Sequence, residues 1–253
     1  MGGGGKIDAM KLLAFDTSTN WLSVACGGGD AWRVRGEPAG QAHSERLLPL
    51  IDAVLAECGW TLQSLDGIAF GAGPGSFTGV RIACGVAQGL ALGADLPLLP
   101  VCTLEAMAQA AWRESKANRT TSGGSHEAAT HVVACLDARM REVYIAAYAR
   151  TADCLAEVLA PAVLAPAAAA LPQIAGAAWF GVGGGFGAYP ALSMQLSLAS
   201  VDAEAVPDAR AIGELAQPRF ADGEGVAAAD ALPLYVRHRV ALTTAERAAG
   251  ARL

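Results

Sequence analysis

The order in which strand-like and helix-like segments follow one another constrains the fold of this 253-residue chain more than any other feature. Apolar runs bounded by turn residues predict strands, and apolar residues three and four apart predict helices. In the first half, strands are predicted at Lys11–Asp16, Leu22–Cys26, Ala31–Val34, Gly67–Gly71 and Pro97–Val101. Helices are predicted at Ser44–Cys58, Val80–Leu92 and Thr103–Glu114. The resulting order, βββαβαβα, is typical of an α/β domain.

The same pattern restarts, less regularly, in the second half. Strands are predicted at His131–Leu136, Val143–Ala149, Leu155–Leu159 and Ala178–Val182, and helices at Pro166–Ile174 and Asp208–Phe220. The polar, Gly- and Ser-rich segment 116–130 is predicted to be a mobile loop between the halves. Two βββαβα-type units in succession predict a duplicated ribonuclease-H-like fold, the plan of actin, Hsp70 and sugar kinases (ASKHA). The predicted domains are 11–103 and 104–253, with the helix at 208–220 a candidate to pack back on the N-terminal domain.

Charge and hydropathy exclude several functional classes. The net charge of −6 argues against a protein that holds nucleic acid unaided, although it leaves room for work on a nucleic acid held by another subunit. The richest apolar stretch, 82–92, is too short to span a bilayer and is interrupted by Gly85 and Gly89. Residues 1–10, MGGGGKIDAM, lack the apolar run of a secretory signal and are interpreted as an extension or tag. We therefore expect a cytoplasmic protein with no membrane contact.

Metal-binding patterns are missing from the sequence. The six cysteines are scattered without a Cys-x-x-Cys pair, so they are predicted to be small core residues. The four histidines form no His-x-x-x-His pair, which is the spacing that places two ligands on one helical face. We predict no metal site, and nothing in the sequence supports metallopeptidase chemistry.

A glycine-rich loop at 71–81, GAGPGSFTGVR, joins a predicted strand to a predicted helix. Glycines let the backbone turn tightly, and free amides at a helix start attract anions. The loop is either a phosphate or nucleotide site or simply a tight turn, and it is no Walker motif because no Lys-Ser/Thr pair follows the glycines. The residues that could contact a phosphate are Gly73, Gly75, Ser76 and Thr78. An autonomous ATPase or small-molecule kinase is therefore an alternative function.

The segment 16–20, DTSTN, occupies the place where actin-like ATPases keep their first phosphate-binding hairpin. Those enzymes need a glycine in that turn so that backbone amides can reach phosphate. The hydroxyl groups are present here, but the glycine is absent. A plain turn that caps the strand is the favoured interpretation.

The helix predicted at 80–92 carries small residues on one side. Arg81, Gly85, Gly89 and Gly93 recur every four residues and so form one stripe. An interior glycine destabilises a helix by about 0.5–1 kcal/mol relative to alanine. Several glycines on one side indicate that something packs very close to this backbone. The neighbour is either another helix of the same chain or a second protein.

The helix predicted at 44–58 favours the second protein. Its apolar positions cover well over half of its circumference, which is more than one contact with a sheet requires. The residues predicted to contact a partner are Leu47, Leu50, Ile51 and Val54 on this helix and Arg81, Gly85, Gln88 and Gly89 on the next one.

Five segments resemble one known family. They are LAFDTST (13–19), HSERLLPLI (43–51), GPGSFTGVRI (73–82), LDARMREVY (136–144) and PLYVR (233–237). Together they resemble the TsaB family, also called YeaZ, over nearly the whole chain from Met10. The segments at 73–82 and 136–144 are the most specific.

The resemblance implies a function that the spacing of residues alone does not. The family is described as an inactive paralogue of TsaD, which transfers a threonylcarbamoyl group to N6 of the adenosine next to the anticodon in tRNAs reading ANN codons. TsaD holds its metal through a His-x-x-x-His motif, which is absent here. The resemblance thus implies a non-catalytic subunit that binds and activates TsaD through helices 44–58 and 80–92. It also implies the ATPase TsaE as a third subunit, ATP or ADP only in the assembled complex, tRNA only through the complex, and a homodimer when TsaD is absent.

Overall fold

The computed structural model describes residues 10–118, 130–151 and 154–237. The predicted extension at 1–10 lies, apart from Met10, outside the described residues. Residues 119–129 of the loop predicted at 116–130 also lie outside the described residues. Residues 116–118 of that prediction belong to the preceding helix, which continues to Asn118.

The first half of the chain forms a five-stranded sheet. Its strands are β1 (Leu12–Asp16), β2 (Trp21–Gly28), β3 (Ala31–Pro38), β4 (Gly67–Gly73) and β5 (Leu98–Cys102), arranged β3-β2-β1-β4-β5. Strands β1, β2 and β3 are antiparallel, whereas β4 and β5 run parallel to β1. The helices are α1 (His43–Cys58), α2 (Phe77–Ala94) and α3 (Thr103–Asn118). Parallel neighbours need crossover connections, and α1 and α2 supply them.

The second half repeats this topology. Its strands are β6 (His131–Arg139), β7 (Glu142–Arg150), β8 (Leu155–Leu164), β9 (Trp179–Val182) and β10 (Ser200–Asp202), arranged β8-β7-β6-β9-β10. Strand β6 pairs antiparallel with β7 and parallel with β9, just as β1 pairs with β2 and β4. The helices are α4 (Gly184–Ala188), α5 (Ala191–Gln195) and α6 (Ala209–Ala221). The order and the directions of the strands match between the halves, which confirms the predicted duplicated ribonuclease-H-like fold.

Helices cover both faces of the first sheet. One face packs on α1 and α2 around Phe15 and Phe70, and the other packs on α3 and α6 around Leu12 and Ile212. Helix α6 corresponds, within one residue at each end, to the helix predicted at 208–220, and it lies directly on the first sheet, where the amide of Ala209 donates to Ser23 Oγ at 3.0 Å. A chain segment from the second half therefore completes the core of the first.

The prediction of an alanine-rich helix at Pro166–Ile174 is wrong. Only Pro166–Ala168 forms a single 3₁₀ turn, and the chain is irregular from there to β9. High alanine propensity is insufficient in so short a segment, because helix nucleation is costly and Pro172 lacks the N–H that an interior position must donate. Among the described residues of the second half, no helix corresponds to α1, and the short helices α4 and α5 stand in the place of α2.

Helix α2 is longer than predicted, since it begins at Phe77 rather than Val80. Ser76 caps it, with the Ser76 hydroxyl accepting from the amide of Gly79 at 3.4 Å. Of the described helices it alone is long and apolar enough to cross a membrane by length and composition. In this fold, one side of α2 packs on the first sheet through Ala83, Cys84, Ala87 and Ala91.

Candidate functional site

The glycine-rich loop after β4 is packed against the loop after β1. An added Cβ at Gly71 would lie 1.8 Å from Asp16 Oδ2, and one at Gly79 would lie 1.9 Å from the carbonyl oxygen of Thr17. At Gly75 it would lie 2.5 Å from the carbonyl oxygen of Ser18. Glycine is required at 75 and 79 because the two backbones touch there, and at 71 because the Asp16 side chain fills the space that a Cβ would take.

Hydrogen bonds between the same two loops use the groups that a phosphate would need. The amide of Ser76 donates to the carbonyl of Ser18 at 2.7 Å, and the hydroxyl of Thr17 donates to the carbonyl of Gly79 at 2.7 Å. Gly73, with φ of 103°, is buried, and Gly75 is half-buried. Of the four predicted phosphate contacts, only Ser76 and Thr78 are exposed. The tight-turn interpretation thus accounts for the glycines without a ligand.

Asp16 lies at the centre of this loop pair and is fully buried. Its Oδ1 accepts from the amide and the hydroxyl of Ser18 at 2.8 and 2.7 Å. Burial raises the pKa of Asp16 to about 6, against the lowering effect of the Ser18 bonds and of the nearby Thr103 hydroxyl. Neither Asp16 Oδ2 nor Thr103 Oγ1 makes a hydrogen bond of normal geometry. Among the residues that the structure describes, no three His, Cys, Asp or Glu side chains are grouped to hold a metal ion.

The glycine stripe of α2 is open to solvent. An added Cβ at Gly85, Gly89 or Gly93 would meet no atom within 4 Å. Leu92 on the same side is 81% exposed. Within residues 10–118, 130–151 and 154–237, therefore, no helix of the same chain packs on these glycines. We call Gly85, Gly89, Leu92 and Gly93 the glycine seam.

The structure corrects the predicted partner contacts on α1. Leu47, Ile51 and Val54 are at most 1% exposed and belong to the core between α1 and the first sheet. A side chain with no surface cannot meet a partner, so the prediction is wrong at these three positions. Leu50 is half-buried at the edge of that core, and the outward apolar residue is Leu48. Helical spacing found the apolar side of α1, but the sheet itself occupies it.

Gln88 and Arg81 contact the end of the described chain, residues 226–237, which we call the C-terminal strap. Gln88 Nε2 donates to the carbonyl of Ala231 at 3.0 Å. The Arg81 guanidinium lies 3.3 Å from the ring centre of Phe77 and 5.0 Å from that of Tyr235. Sequence reasoning placed both residues at an interface but missed the strap, which carries no periodic signal.

The strap joins the two halves of the molecule. It begins in a bridge between Val226 and Leu98 of β5. The amide of Leu234 then donates to the carbonyl of Ala72 in β4 at 2.7 Å. At its far end Arg237 donates to the carbonyl of Ala138 at 3.0 Å and pairs with Glu142 on the β6–β7 hairpin. Of the predicted site residues, the strap therefore brings together Arg81 and Gln88, while the seam contains Gly85 and Gly89.

Known proteins resemble this chain over almost its entire length. Residues 34–232 match the family model described as TsaD, tRNA N6-adenosine threonylcarbamoyltransferase. The tRNA threonylcarbamoyladenosine biosynthesis protein TsaB of Escherichia coli is 39% identical over 92% of this chain and 96% of its own length. The chain belongs to the TsaB (YeaZ) family. The protein of the same name from Haemophilus influenzae is also 39% identical, over 91% of this chain and 95% of its own length.

Solved structures of the family share this fold. YeaZ from Pseudomonas aeruginosa is 40% identical and superposes with a TM-score of 0.78 over 89% of this chain and 99% of its own. A second crystal structure, described as an uncharacterized protein with similarity to peptidase YEAZ from the same organism, gives a TM-score of 0.80 at 40% identity, covering 90% and 100% of the two chains. The family's named members are thus biosynthesis proteins for a modified tRNA nucleoside, and the resemblance found in the sequence is confirmed.

Proposed function

We propose that this chain is a non-catalytic subunit that binds and activates TsaD in forming the threonylcarbamoyl group on N6 of the adenosine next to the anticodon in tRNAs reading ANN codons. The observation that carries the proposal is the open glycine seam on α2. Three interior glycines weaken a helix, and no contact within the described chain uses the close approach that they allow. A foreign helix packed backbone to backbone on the seam would use it. The names of the relatives supply the pathway.

The proposed partner surface consists of the seam and the outward side of α1. Gly85, Gly89 and Leu92 supply the seam, and Leu48 and Leu50 supply the neighbouring part of α1. Helices α1 and α2 contact each other on the same face of the first sheet, so one partner can span both. We propose TsaD as this partner, a homodimer through the same surface when TsaD is absent, and TsaE as a third subunit of the cytoplasmic assembly.

Replacing Gly89 by Arg tests the surface. The variant Gly89→Arg puts a long charged side chain where a partner must approach, so we expect co-purification with TsaD to be lost and affinity to fall at least about a hundredfold, or about 2.8 kcal/mol. The isolated fold should survive, because the position is open. The matched control is Gly184→Arg, also an exposed helical glycine with open space, which should bind TsaD normally. Retained binding by Gly89→Arg would contradict the proposal.

We further propose that this chain alone binds neither ATP nor ADP tightly, and that nucleotide enters only with the complex. The support is the loop pair, where the amide of Ser76 and the hydroxyl of Thr17 already have partners. Calorimetric titration of the purified chain with ATP and magnesium should give no binding heat in the micromolar range. Tight binding with turnover would instead favour the autonomous ATPase or kinase.

A further inference from the structure

Three separate segments present arginines and exposed apolar side chains along one band. The segments are the start of α2, the β6–β7 turn and the C-terminal strap. Their members are Phe77, Arg81, Arg139, Met140, Arg141 and Tyr235. Phe77, Met140 and Tyr235 are 61%, 56% and 53% exposed, which is unusual for large apolar side chains in a chain that buries most of the others. We call these six residues the arginine band.

Contacts along the strap hold the band together. Arg81 lies over the rings of Phe77 and Tyr235, which brings the start of α2 to the strap. Two residues beyond Tyr235, Arg237 Nη1 lies 3.5 Å from Met140 Sδ, which brings the strap to the β6–β7 turn. The band is therefore continuous across both halves of the molecule.

The band carries positive charge on an acidic protein. Arg81 and Arg141 have no carboxylate partner among the described residues, and Arg139, though paired with Asp137, has a side chain that is 87% exposed. Glu142 is neutralised by Arg237. Beside the three exposed guanidinium groups, Asp137 is therefore the one nearby carboxylate that Arg237 does not neutralise, and it is only half-exposed, whereas the whole chain has a net charge of −6. A local excess of this sign favours an anionic ligand.

The β6–β7 turn holds its arginines outward in an unfavourable backbone conformation. Arg139, Met140 and Arg141 have φ of 61°, 52° and 61°, the left-handed region that residues with a Cβ rarely occupy. Asp137 supports the turn by accepting from the amide of Arg139 at 2.9 Å. Consecutive residues in such a conformation persist where the surrounding structure imposes it, and they concentrate at ligand-binding sites.

Exposed rings interleaved with exposed guanidinium groups match the chemistry of single-stranded RNA. Aromatic rings stack on bases, guanidinium groups pair with phosphates, and arginine can do both. We propose that the arginine band binds the single-stranded loop of an RNA. The inference deepens the proposed function, on which it rests for the identity of that RNA as the anticodon loop of tRNA.

An RNA loop fits the band better than an acidic protein does. A protein interface is expected to have an apolar centre depleted of charge, and α2 already offers that surface in the glycine seam. The band begins at the other end of the same helix, at Phe77 and Arg81. A subunit seated on the seam would therefore leave the band beside it, open to the RNA that the subunit holds.

Charge reversal at Arg141 tests the band. Arg141→Glu and the matched control Arg33→Glu change the net charge equally, and both residues are exposed, but Arg33 lies on β3 away from the band. We measure binding of a fluorescein-labelled anticodon stem-loop to the complex with TsaD by fluorescence anisotropy across a salt series. Arg141→Glu should weaken binding by about three- to tenfold and reduce the slope of log K against log salt by about 0.7, the value for one phosphate contact on a single strand. Arg33→Glu should change neither, and equal effects of the two variants would overturn the proposal.

Photocrosslinking separates an RNA from a protein occupant. A benzoyl-phenylalanine in place of Tyr235 keeps an aromatic ring in the band, and the assembled complex is irradiated with labelled tRNA. A crosslink to RNA is expected, whereas crosslinks to protein alone, or none to RNA, would overturn the proposal.

Failure of the proposed function is recognised separately. Co-purification with TsaD is measured first for the parent chain and for Arg141→Glu. If the parent chain does not associate with TsaD, the proposed function fails. The same anisotropy comparison of Arg141→Glu with Arg33→Glu is then made on the chain alone and decides the band.

Discussion

At the scale of single residues, the close packing of the loop pair buries the carboxylate of Asp16 completely, and this burial lowers the stability of the fold at neutral pH. Folding removes this carboxylate from water and supplies hydrogen bonds from Ser18 to only one of its oxygens. Desolvation therefore dominates and raises the pKa to about 6. Because the folded state holds the proton more tightly than the unfolded state, Asp16 contributes stability that is complete below about pH 4 and lost as the pH rises through about 6.

Replacing Asp16 by Asn should stabilise the protein at neutral pH. The amide keeps an oxygen for Ser18 but carries no charge, so Asp16→Asn should raise the free energy of unfolding at pH 7 by about 1–3 kcal/mol. The difference should shrink as the pH falls from 6 to 4, because the parent carboxyl becomes neutral there. Urea denaturation of both chains at several pH values measures this. A difference that does not depend on pH would show that the charge is not the cause.

At the scale of elements, the glycines of this chain fall into two kinds. Those of the loop, such as Gly79, are irreplaceable because a Cβ would strike the backbone of another loop. Those of the seam, such as Gly85 and Gly89, have open space around them. The first kind serves the fold of the single chain, and the second kind is what the proposed contact with a partner would use.

Alanine substitutions should separate the two kinds. In the isolated chain, Gly85→Ala and Gly89→Ala should each raise the free energy of unfolding by about 0.5–1 kcal/mol, because helix propensity rises and nothing is displaced. Gly79→Ala should lower it by about 2 kcal/mol or more, because backbone must move. Urea titration at low protein concentration, where the chain is monomeric, gives all three values. A loss of stability in Gly89→Ala would mean that the seam is not open.

At the scale of the whole molecule, two segments of the second half return to the first. Helix α6 completes the core beneath the first sheet, and the strap crosses from β5 to the β6–β7 turn. Arg113 on α3 forms two further ion pairs with this region. One partner is Asp208, the N-cap residue of α6, and the other is Glu214 within α6. The halves are thus tied by packing, by backbone hydrogen bonds and by ion pairs.

Removing Arg237 should loosen the strap. Its side chain is only 14% exposed and donates to Glu142 and to the carbonyl of Ala138. Arg237→Ala should lower the free energy of unfolding by about 1–2 kcal/mol and speed hydrogen exchange at the Leu234 amide, which bonds to Ala72. The control Arg219→Ala breaks an exposed pair with Glu224 and should cost less than about 0.5 kcal/mol. Equal losses in the two variants would mean that Arg237 makes only a surface contact.

The sequence by itself determined the duplicated strand order, the two N-terminal helices and the stripe of glycines on α2. Each of these features is a pattern along the chain. Apolar runs indicate strands, apolar residues three and four apart indicate helices, and a spacing of four residues relates Gly85, Gly89 and Gly93. Period follows from backbone geometry, so it is readable without knowing what surrounds a residue. The family was identified from the sequence as well, by the resemblance that the segments at 73–82 and 136–144 carry.

The tertiary structure alone decided which residues of those elements have a free surface. It buried Leu47, Ile51 and Val54 beneath α1, left the seam open, and explained Gly71 and Gly79 by a loop more than fifty residues earlier in the chain. Only the tertiary structure shows that Pro166–Ile174 forms no long helix and that the strap contacts α2. Burial and close approach depend on neighbours that are distant in the sequence, and no pattern within one segment encodes them.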